Sequence, residues 1–458
     1  MTLVGLALWS TRHVASTMQG LEGDGHRFGL IYTLAFLLLV WQLALCFREP
    51  VHRTTDEQQR ALDCLRVAVL VPAYNEDAGA LHAGLLSLLE QNRRPDHIVV
   101  VDDGSTKVDY SGLEAWFTDA AREAGIAARW VTKANGGKRS AQAAGVLATP
   151  DADIYLTVDS DALLDADALG EGLKPFADDR VQSVAGIVVA LNNRYPWRAA
   201  RPGSSRLGRL VRNACADLLC RTTDLWFVVG QLVDRSAMST MGGVLVNSGP
   251  LALYRAAVIR DNLDGYLNES FFGRGVEFSD DSMLALYARH RGRTVQQPSA
   301  FAFTLMPETF DQHKRQYMRW MRGAFIRSWW RFRYLPMDTY AYWGHLLAWI
   351  QMTLSSVIFV ALFVVWPIRE AKYVSAWPIL LAVPILIGYG QSLRYLNVRR
   401  SDQSVGSQVA TFLLTPVATV YAFTGLRLMR WWAMLTPLKT GWGTRENVEV
   451  RLVQATDS

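Results

Sequence analysis

Apolar runs of membrane-crossing length flank a middle section of ordinary soluble sequence, and this division limits what the chain can fold into. Residues 28–47, 342–366 and 374–389 are each apolar over roughly the 20 residues that a helix needs to cross a bilayer. Of the 458 residues, 50% are hydrophobic. The first run is too long for the core of a signal peptide and lacks a small-residue cleavage site behind it. We therefore expect an uncleaved transmembrane helix there.

Arginine distribution predicts the orientation of these helices. More arginines follow the first run than precede it, and the loop after 374–389 is also basic, which places both regions on the cytoplasmic side. The chain is thus predicted to be a multi-pass plasma-membrane protein with a cytoplasmic middle section. The arginines are Arg12 and Arg27 ahead of the first run, Arg48, Arg53, Arg60 and Arg66 behind it, and Arg394, Arg399 and Arg400 in the loop.

The last apolar stretch, residues 409–435, is interrupted by Pro416. If it crossed the bilayer once, the basic residues at its far end would lie outside. A re-entrant hairpin would return the tail to the cytoplasm, and such a break is tolerated where protein or a water-filled cavity surrounds it. We favour the re-entrant arrangement. The basic residues are Arg427, Arg430, Lys439 and Arg445.

Between the membrane segments, short apolar runs alternate with amphipathic helical patterns. This alternation predicts an α/β fold with a mostly parallel sheet. The loops at the carboxyl ends of such strands are where open α/β sheets bind nucleotides. The predicted strands are 67–71, 98–101, 128–131, 154–158 and 184–190.

Net charge and cysteine spacing exclude several classes of partner and cofactor. The formal charge of +5 is small for this length and its positive residues flank apolar segments, which favours lipid or nucleotide phosphates over nucleic acid. We expect no nucleic-acid partner. The four cysteines show neither metal-ligand spacing nor a disulfide framework, so reduced thiols are expected. They are Cys46, Cys64, Cys215 and Cys220.

The loops after the first two strands carry groups suited to a nucleoside. Residues 72–77 include Ala73, Tyr74 and Glu76, and the second loop holds Asp103. Carboxylates at strand ends accept hydrogen bonds from a base or a ribose, and a tyrosine ring can stack on the base. An Asp-Asp-Gly sequence on its own is more often simply a turn.

The third loop sets glycines beside cations at a helix start. Lys133, Lys138 and Arg139 surround the pair Gly136 and Gly137, which would suit a diphosphate. A solvated basic turn is the alternative. The loop lacks the spacing of a P-loop, so an ATPase is not indicated.

The fourth loop, Asp159-Ser160-Asp161, follows an apolar strand directly. Two carboxylates one residue apart can reach one hard cation, and a divalent ion on a diphosphate neutralises the charge of the leaving group. We therefore predict that Asp159 and Asp161 bind Mg²⁺ or Mn²⁺.

Two further motifs lie between this loop and the second membrane segment. Ser279 is followed by the acidic pair Asp280 and Asp281. Gln316, Arg319 and Trp320 occur at i, i+3 and i+4, which puts them on one face of a helix. The surrounding segment, residues 314–334, is rich in Arg and Trp and suits an interfacial helix. A basic amphipathic anchor without a catalytic part is the alternative.

In this order, the motifs resemble those of inverting, nucleotide-sugar-dependent glycosyltransferases of family 2. The resemblance is to the membrane-embedded processive synthases, which include hyaluronan, cellulose and chitin synthases, and covers roughly residues 65–335 and part of the membrane region. It implies a GT-A-like fold, UDP-sugar donors, a growing polysaccharide acceptor and contact with membrane lipids.

Within that family the chain looks most like hyaluronan synthases. Residues 248–255, residues 262–266 and the tail 442–445 (Trp-Gly-Thr-Arg) carry this resemblance. Ser279, Ser282 and Asn247 depart from the usual residues. Rhizobial chitin-oligosaccharide synthases share most of the other motifs and are the nearest competitor.

The resemblance implies a role for each candidate residue. Asp281 would be the general base and Asp280 would shape its surroundings. Asp159 and Asp161 would hold the metal, and Trp320 would also support the acceptor sugar. Acceptor-side residues would be Asn247, Ser248, Gly249 and Pro250, and donor-binding residues would be Ala73, Tyr74, Glu76, Asp103, Lys133, Lys138, Arg139, Asp159, Asp161, Gln316, Arg319, Trp320, Trp442 and Arg445.

The predicted organisation has four parts. Residues 1–64 form the first membrane helix and its lead-in, 65–311 the cytoplasmic catalytic domain, 312–341 the interfacial helices and 342–458 the membrane region with a cytoplasmic tail. A chitin or poly-GlcNAc synthase, a transferase of single sugars to lipid and a catalytically inactive scaffold are alternatives. The last is disfavoured by intact Asp161, Asp281 and Arg319.

Overall fold

The computed structural model describes residues 37–191, 206–369, 377–397, 400 and 403–441. An eight-stranded, mostly parallel sheet lies at its centre, with strand order β3-β2-β1-β4-β7-β6-β10-β5. The predicted α/β class and its five strands are confirmed. The strands are β1 (Val67–Ala73), β2 (His97–Asp102), β3 (Ala127–Thr132), β4 (Ile154–Thr157), β5 (Leu163–Leu164), β6 (Val181–Ala190), β7 (Ala252–Arg255) and β10 (Arg293–Thr304), and a separate hairpin holds β8 (Ser270–Phe271) and β9 (Arg274–Gly275).

Sequence patterning finds five of the eight strands of the sheet and misses β5, β7 and β10, although β10 pairs in parallel with β6. Strands β3, β2, β1 and β4 pair in parallel, whereas β7 runs antiparallel between β4 and β6. β7 has only four residues, too few to show a period. Its insertion brings residues 248–250 next to the end of β4.

Helices cover both faces of the sheet and bury it. One apolar cluster joins the sheet to α3, α4 and α6, and a second joins it to α5, α10 and α11. All seven residues of β1 are buried, as expected for a strand covered on both sides. The helices of this layer are α2 (Asp56–Asp63), α3 (Ala78–Leu89), α4 (Ser111–Glu123), α5 (Lys138–Ala148), α6 (Ala168–Leu173), α9 (Ala256–Arg260), α10 (Leu263–Leu267) and α11 (Asp280–Arg291).

The remaining helices form a second layer. Only one helical stretch among the described residues, residues 340–369, is long and apolar enough to cross a membrane on its own. The pair 405–413 and 415–435 passes the same test together and is bent by 44° beside Pro416, as a broken span or a re-entrant loop would be. These helices are α1 (Leu37–Cys46), α7 (Arg206–Val229), α8 (Ser236–Thr240), α12 (Phe310–Tyr334), α13 (Tyr340–Val360), α14 (Trp366–Arg369), α15 (Trp377–Leu396), α16 (Val405–Leu413), α17 (Thr415–Tyr421) and α18 (Arg427–Leu435).

Two buried ion pairs fasten the carboxyl-terminal helices to the rest. Arg394 on α15 lies 3.1 Å from Glu49, just after α1, and Glu49 also accepts from Gln296 on β10. Arg400 lies 2.6 Å from Asp224 on α7, and neither side chain is exposed. Asp224 also accepts from the backbone N–H of Ala190 at the end of β6. Each carboxylate therefore joins the sheet layer to the second layer.

We predict that Asp224→Ala lowers the free energy of unfolding by about 3–5 kcal/mol, because removing one partner leaves the other charge buried and unpaired. Asp119→Ala is the matched control, since its pair with Arg122 is mostly exposed, at 68% and 72%, and is worth about 0–1 kcal/mol. Denaturant unfolding in detergent measures both. Equal effects of the two substitutions would contradict the prediction.

Candidate active site

A cavity of about 390 Å³ lies at the carboxyl ends of β1 and β4, under α12. It brings together predicted residues from loops that are far apart in the sequence. Asp161 and Asp281 both line the cavity. A single site built from the acidic loops requires this. The predicted residues in its wall are Tyr74, Glu76, Lys138, Asp159, Asp161, Ser248, Gly249, Pro250, Asp280, Asp281, Gln316, Arg319 and Trp320.

Lys138 connects two of the acidic loops. Its Nζ lies 2.7 Å from Oδ1 of Asp159 and 3.2 Å from Oδ2 of Asp280. Burial alone would lower the pKa of Lys138, but the charges of these carboxylates outweigh it and raise the pKa above its usual value. The lysine therefore stays charged and holds the end of β4 against the start of α11.

The acidic pair occupies the first turn of α11, where the helix dipole favours negative charge. Ser279 precedes it in the left-handed conformation, with φ of 57°. The surroundings shift the pKa values of the two carboxyls in opposite directions. Burial opposes ionisation of Asp280, but Lys138 and Arg139 lower its pKa below the usual value. Burial and the charge of Asp280 instead raise the pKa of Asp281 to about 7.

A buried cluster of charges supports this turn from behind. Glu269 forms ion pairs with Arg139 and with Arg327 of α12. Both arginines donate to the carbonyl oxygen of Phe278, at 3.2 and 3.3 Å, and Arg327 also donates to that of Ser279 at 3.2 Å. Three separate elements thus fix the backbone that leads into the acidic pair.

Arg139, which the sequence predicts to bind the donor, does not reach the cavity. It is 6% exposed, does not line the cavity and is held in the cluster with Glu269. The reason is geometric, because consecutive residues in the first turn of α5 point in different directions, so that Lys138 faces the cavity and Arg139 faces α11.

Other predicted residues also lie behind the cavity wall. Asp103 is buried and accepts hydrogen bonds from the backbone N–H groups of Gly136 and Gly137, at 3.0 and 2.7 Å, and from Lys133 at 2.6 Å. It thereby fixes the glycine loop that begins α5. Ala73 and Asn247 are buried as well.

Gly249 allows the segment 248–250 to approach Asp159 closely. A Cβ atom at this position would lie 2.9 Å from Oδ2 of Asp159 and 3.2 Å from Nζ of Lys138. Real Cβ contacts are essentially never as short as 2.9 Å, so a side chain at this position would force Asp159 to shift. Its neighbour Ser248 accepts a 2.7 Å hydrogen bond from buried Arg235.

α12 presents Gln316, Arg319 and Trp320 to the cavity, as their spacing predicts. The helix begins with a capping box between Thr309 and Gln312. One face of Trp320 stacks on Phe227 of α7, with ring centres 5.4 Å apart.

Sequence reasoning missed several residues of this site. The missed residues lie in stretches of sequence that look like ordinary helix or loop. They are Phe227, Arg235, Glu269 and Arg327. Only the concentration of Arg in 314–334 signals one of them.

The motif residues Trp442 and Arg445 lie outside the described residues. The segment just before them contacts the β8–β9 hairpin. Arg274 donates to the carbonyl of Leu438 at 3.1 Å, and the backbone N–H of Glu277 donates to that of Thr440 at 3.3 Å. The chain therefore reaches position 441 beside Glu277, three residues before Asp280.

The described residues contain no group of three or more His, Cys, Asp or Glu side chains that could hold a metal ion. Mg²⁺, however, usually takes one or two carboxylates and completes its shell with substrate phosphates and water. Asp159 and Asp161 line the cavity at one strand end and supply two carboxylates. This donor set fits a divalent ion that binds together with a diphosphate.

Comparisons with known proteins agree with this geometry. The family model described as "Glycosyltransferase like family 2" matches residues 65–323. The hyaluronan synthase of Streptococcus pyogenes is 31% identical over 389 residues, which cover 84% of each chain. An N-acetylglucosaminyltransferase of Azorhizobium caulinodans is 31% identical over 304 residues, or 65% of this chain and 70% of the relative.

A solved structure with the same fold is the mannosyltransferase of Pyrobaculum calidifontis in complex with GDP-Man and Mn²⁺. Its TM-score is 0.54 at 18% identity, and the match covers 90% of this chain and 96% of the other. The predicted GT-A-like fold is therefore confirmed.

We predict that two neighbouring substitutions shift stability in opposite directions at pH 8. The pKa of Asp281 is raised in the folded state. The folded protein therefore loses stability as the pH rises from about 4 to 7, because a carboxyl that resists ionisation in the fold ionises readily in the unfolded chain. Asp281→Asn should therefore stabilise the fold at pH 8, with a smaller effect at pH 5. Asp280→Asn should destabilise it by about 1.5–3 kcal/mol, because charged Lys138 loses the negative charge of its partner. Denaturant unfolding at both pH values measures the free energy of unfolding of each variant. Changes of the same sign for the two substitutions at pH 8 would contradict the prediction.

Proposed function

Because the chain belongs to glycosyltransferase family 2, we propose that it is a processive, inverting enzyme that makes a β-linked, GlcNAc-containing polysaccharide from UDP-sugars and extrudes it across the membrane. The observation that carries the proposal is the single cavity shared by Asp159, Asp161, Asp281 and the Gln316, Arg319 and Trp320 face of α12.

The electrostatics of the acidic pair support a general base. In a single in-line displacement, an acceptor hydroxyl attacks the anomeric carbon of the α-linked donor, and its proton must be removed as the new bond forms. With a pKa of about 7, Asp281 can accept that proton near neutral pH. Asp280 remains ionised beside Lys138 and contributes to keeping the pKa of Asp281 high.

The opposite side of the cavity suits the donor. Asp159 and Asp161 would hold Mg²⁺ or Mn²⁺ against the diphosphate. When bound, the ion offsets the charge that develops on the leaving nucleoside diphosphate. Lys138 and Arg319 add positive charge, and Tyr74 offers a ring to the uracil base.

The acceptor would approach from the side of α12 and residues 248–250. Trp320 has one face against Phe227, which fixes the plane of its indole ring. A fixed aromatic plane can support the apolar face of a sugar ring while the hydroxyl points at Asp281. Gln316 on the same helix face can hydrogen-bond the sugar.

Two-donor, hyaluronan-like synthesis from UDP-GlcNAc and UDP-glucuronate is favoured by the extent of the matches. Similarity to the hyaluronan synthase extends over 84% of the chain, against 65% for the N-acetylglucosaminyltransferase. A chitin or poly-GlcNAc synthase is the second candidate, and a single-sugar lipid transferase the third. The helix at 340–369 and the bent pair at 405–435 support a multi-pass plasma-membrane location with a cytoplasmic catalytic domain.

The decisive experiment supplies the purified protein in lipid nanodiscs with labelled UDP-GlcNAc, with and without UDP-glucuronate, in the presence of Mg²⁺ or Mn²⁺. We expect high-molecular-mass product that requires both donors and is digested by hyaluronidase, and no product after chelation. Asp281→Asn is the inactive control, with an expected loss of about 10²–10⁴-fold. Polymer from UDP-GlcNAc alone that chitinase digests favours the second candidate, and a labelled lipid favours the third.

We predict that Gly249→Ala lowers kcat/KM for the donor by roughly 10-fold to 100-fold, because the added Cβ displaces Asp159 and Lys138. Gly230→Ala is the matched control, since a Cβ there has no described atom within 4 Å. Initial rates at varied donor concentration measure both. Similar losses for the two variants would remove the steric explanation.

A further inference from the structure

The β8–β9 hairpin and the adjoining part of α12 expose a group of large apolar side chains. Phe272 at the hairpin tip is 73% exposed, and Trp329 of α12, with its ring centre 6.0 Å away, is 52% exposed. Met337 and Trp343, at the turn into α13, are 65% and 52% exposed. We call these four residues the aromatic surface. A contiguous exposed apolar surface usually marks a site of interaction.

The position of Trp329 indicates what covers this surface. Phe325 and Phe332 of α12 both pack on Trp349 of α13, each with ring centres 6.3 Å apart. Trp329 lies four residues after the first and three before the second, so it shares their side of α12. The aromatic surface is therefore continuous with the flank of α13.

α13 is the first part of the stretch that is long enough to cross a bilayer. Only 11% of the apolar window in residues 340–369 is buried within the protein. If lipid covers that stretch, the same lipid extends over Trp329 and reaches Phe272. Trp side chains are also enriched where the hydrocarbon meets the headgroups.

We propose that the aromatic surface docks on the bilayer, with Phe272 inserted at the boundary between headgroups and acyl chains. The proposal rests on the membrane location in the proposed function. Arg333, whose guanidinium lies 5.5 Å from the ring centre of Tyr334 next to this surface, can extend to the lipid phosphates.

The hairpin transmits this anchoring to the acidic pair. Phe271, beside the tip, packs in one apolar cluster with Phe278 and Ile326. Glu269, at the foot of the hairpin, is the centre of the buried ion-pair cluster that holds the carbonyl of Phe278. Insertion of the tip thus limits movement of the backbone that precedes Asp281, which makes Phe272 a positioning residue.

Depth measurement tests the docking without reference to activity. A nitroxide is attached at Phe272→Cys in a Cys64→Ser, Cys215→Ser background, and the protein is reconstituted in phosphatidylcholine nanodiscs. We expect collisions with oxygen to exceed those with a water-soluble nickel chelate. Leu147→Cys on α5, a position 70% exposed, is the aqueous control and should show the reverse.

Two outcomes overturn the proposal. Equal access of the chelate to both labels means that the tip lies in water. Shielding of the Phe272→Cys label from both reagents means that protein, a second copy or another segment of this chain, covers the surface.

The positioning role has a separate readout. Phe272→Ser should lower kcat several-fold in nanodiscs with an unchanged donor KM, Phe272→Leu should restore it, and Leu147→Ser should have no effect. An unchanged kcat for Phe272→Ser contradicts the positioning role. A wild type that transfers no sugar contradicts the proposed function instead, and leaves the depth measurement as a valid test of docking.

Discussion

The site depends on one partly buried lysine, Lys138, among several carboxylates. Without Lys138, four aspartates from two loops would face one another across one cavity, and ionisation of more than two would be costly. By pairing with Asp159 and Asp280 at 2.7 and 3.2 Å, the lysine divides the acids into two groups. One group, Asp159 and Asp161, lies at the end of β4, and in the other, burial and the charge of Asp280 leave Asp281 with a pKa of about 7.

A buried cluster of charged residues behind the cavity fixes the backbone that carries the acidic pair. The Arg139, Glu269 and Arg327 cluster contributes no atom to the cavity wall, yet its guanidinium groups hold the carbonyls of Phe278 and Ser279. The left-handed backbone at Ser279 is consequently held by three elements that come from different parts of the chain. α12 also packs tightly against Ser279, since a Cβ at Gly323 would lie 1.9 Å from the hydroxyl oxygen of Ser279.

Local sequence was sufficient wherever a property belongs to adjacent residues. The Val- and Ile-rich strands were predictable from their apolar runs, Asp159 and Asp161 from their position after one of them, and the shared face of Gln316, Arg319 and Trp320 from helical spacing. Residues joined only by folding were not predictable. Glu269 lies 130 positions from Arg139, and the stacking of Phe227 on Trp320 depends on how α7 crosses α12, which no local pattern encodes. Arg139 shows the limit clearly, because its proximity to Lys138 in sequence suggested a phosphate contact whereas its direction in space leads it to Glu269.

The two ion pairs that join the layers also impose an order on biogenesis. A ribosome releases Glu49 and Asp224 long before it has made Arg394 and Arg400, so both acids wait for their cations until α15 and the residues just after it have been translated. Until then the nascent chain keeps two unpaired carboxylates where the finished protein has buried ion pairs. Docking of the sheet layer on the second layer is therefore completed only after α15 and Arg400 have been made.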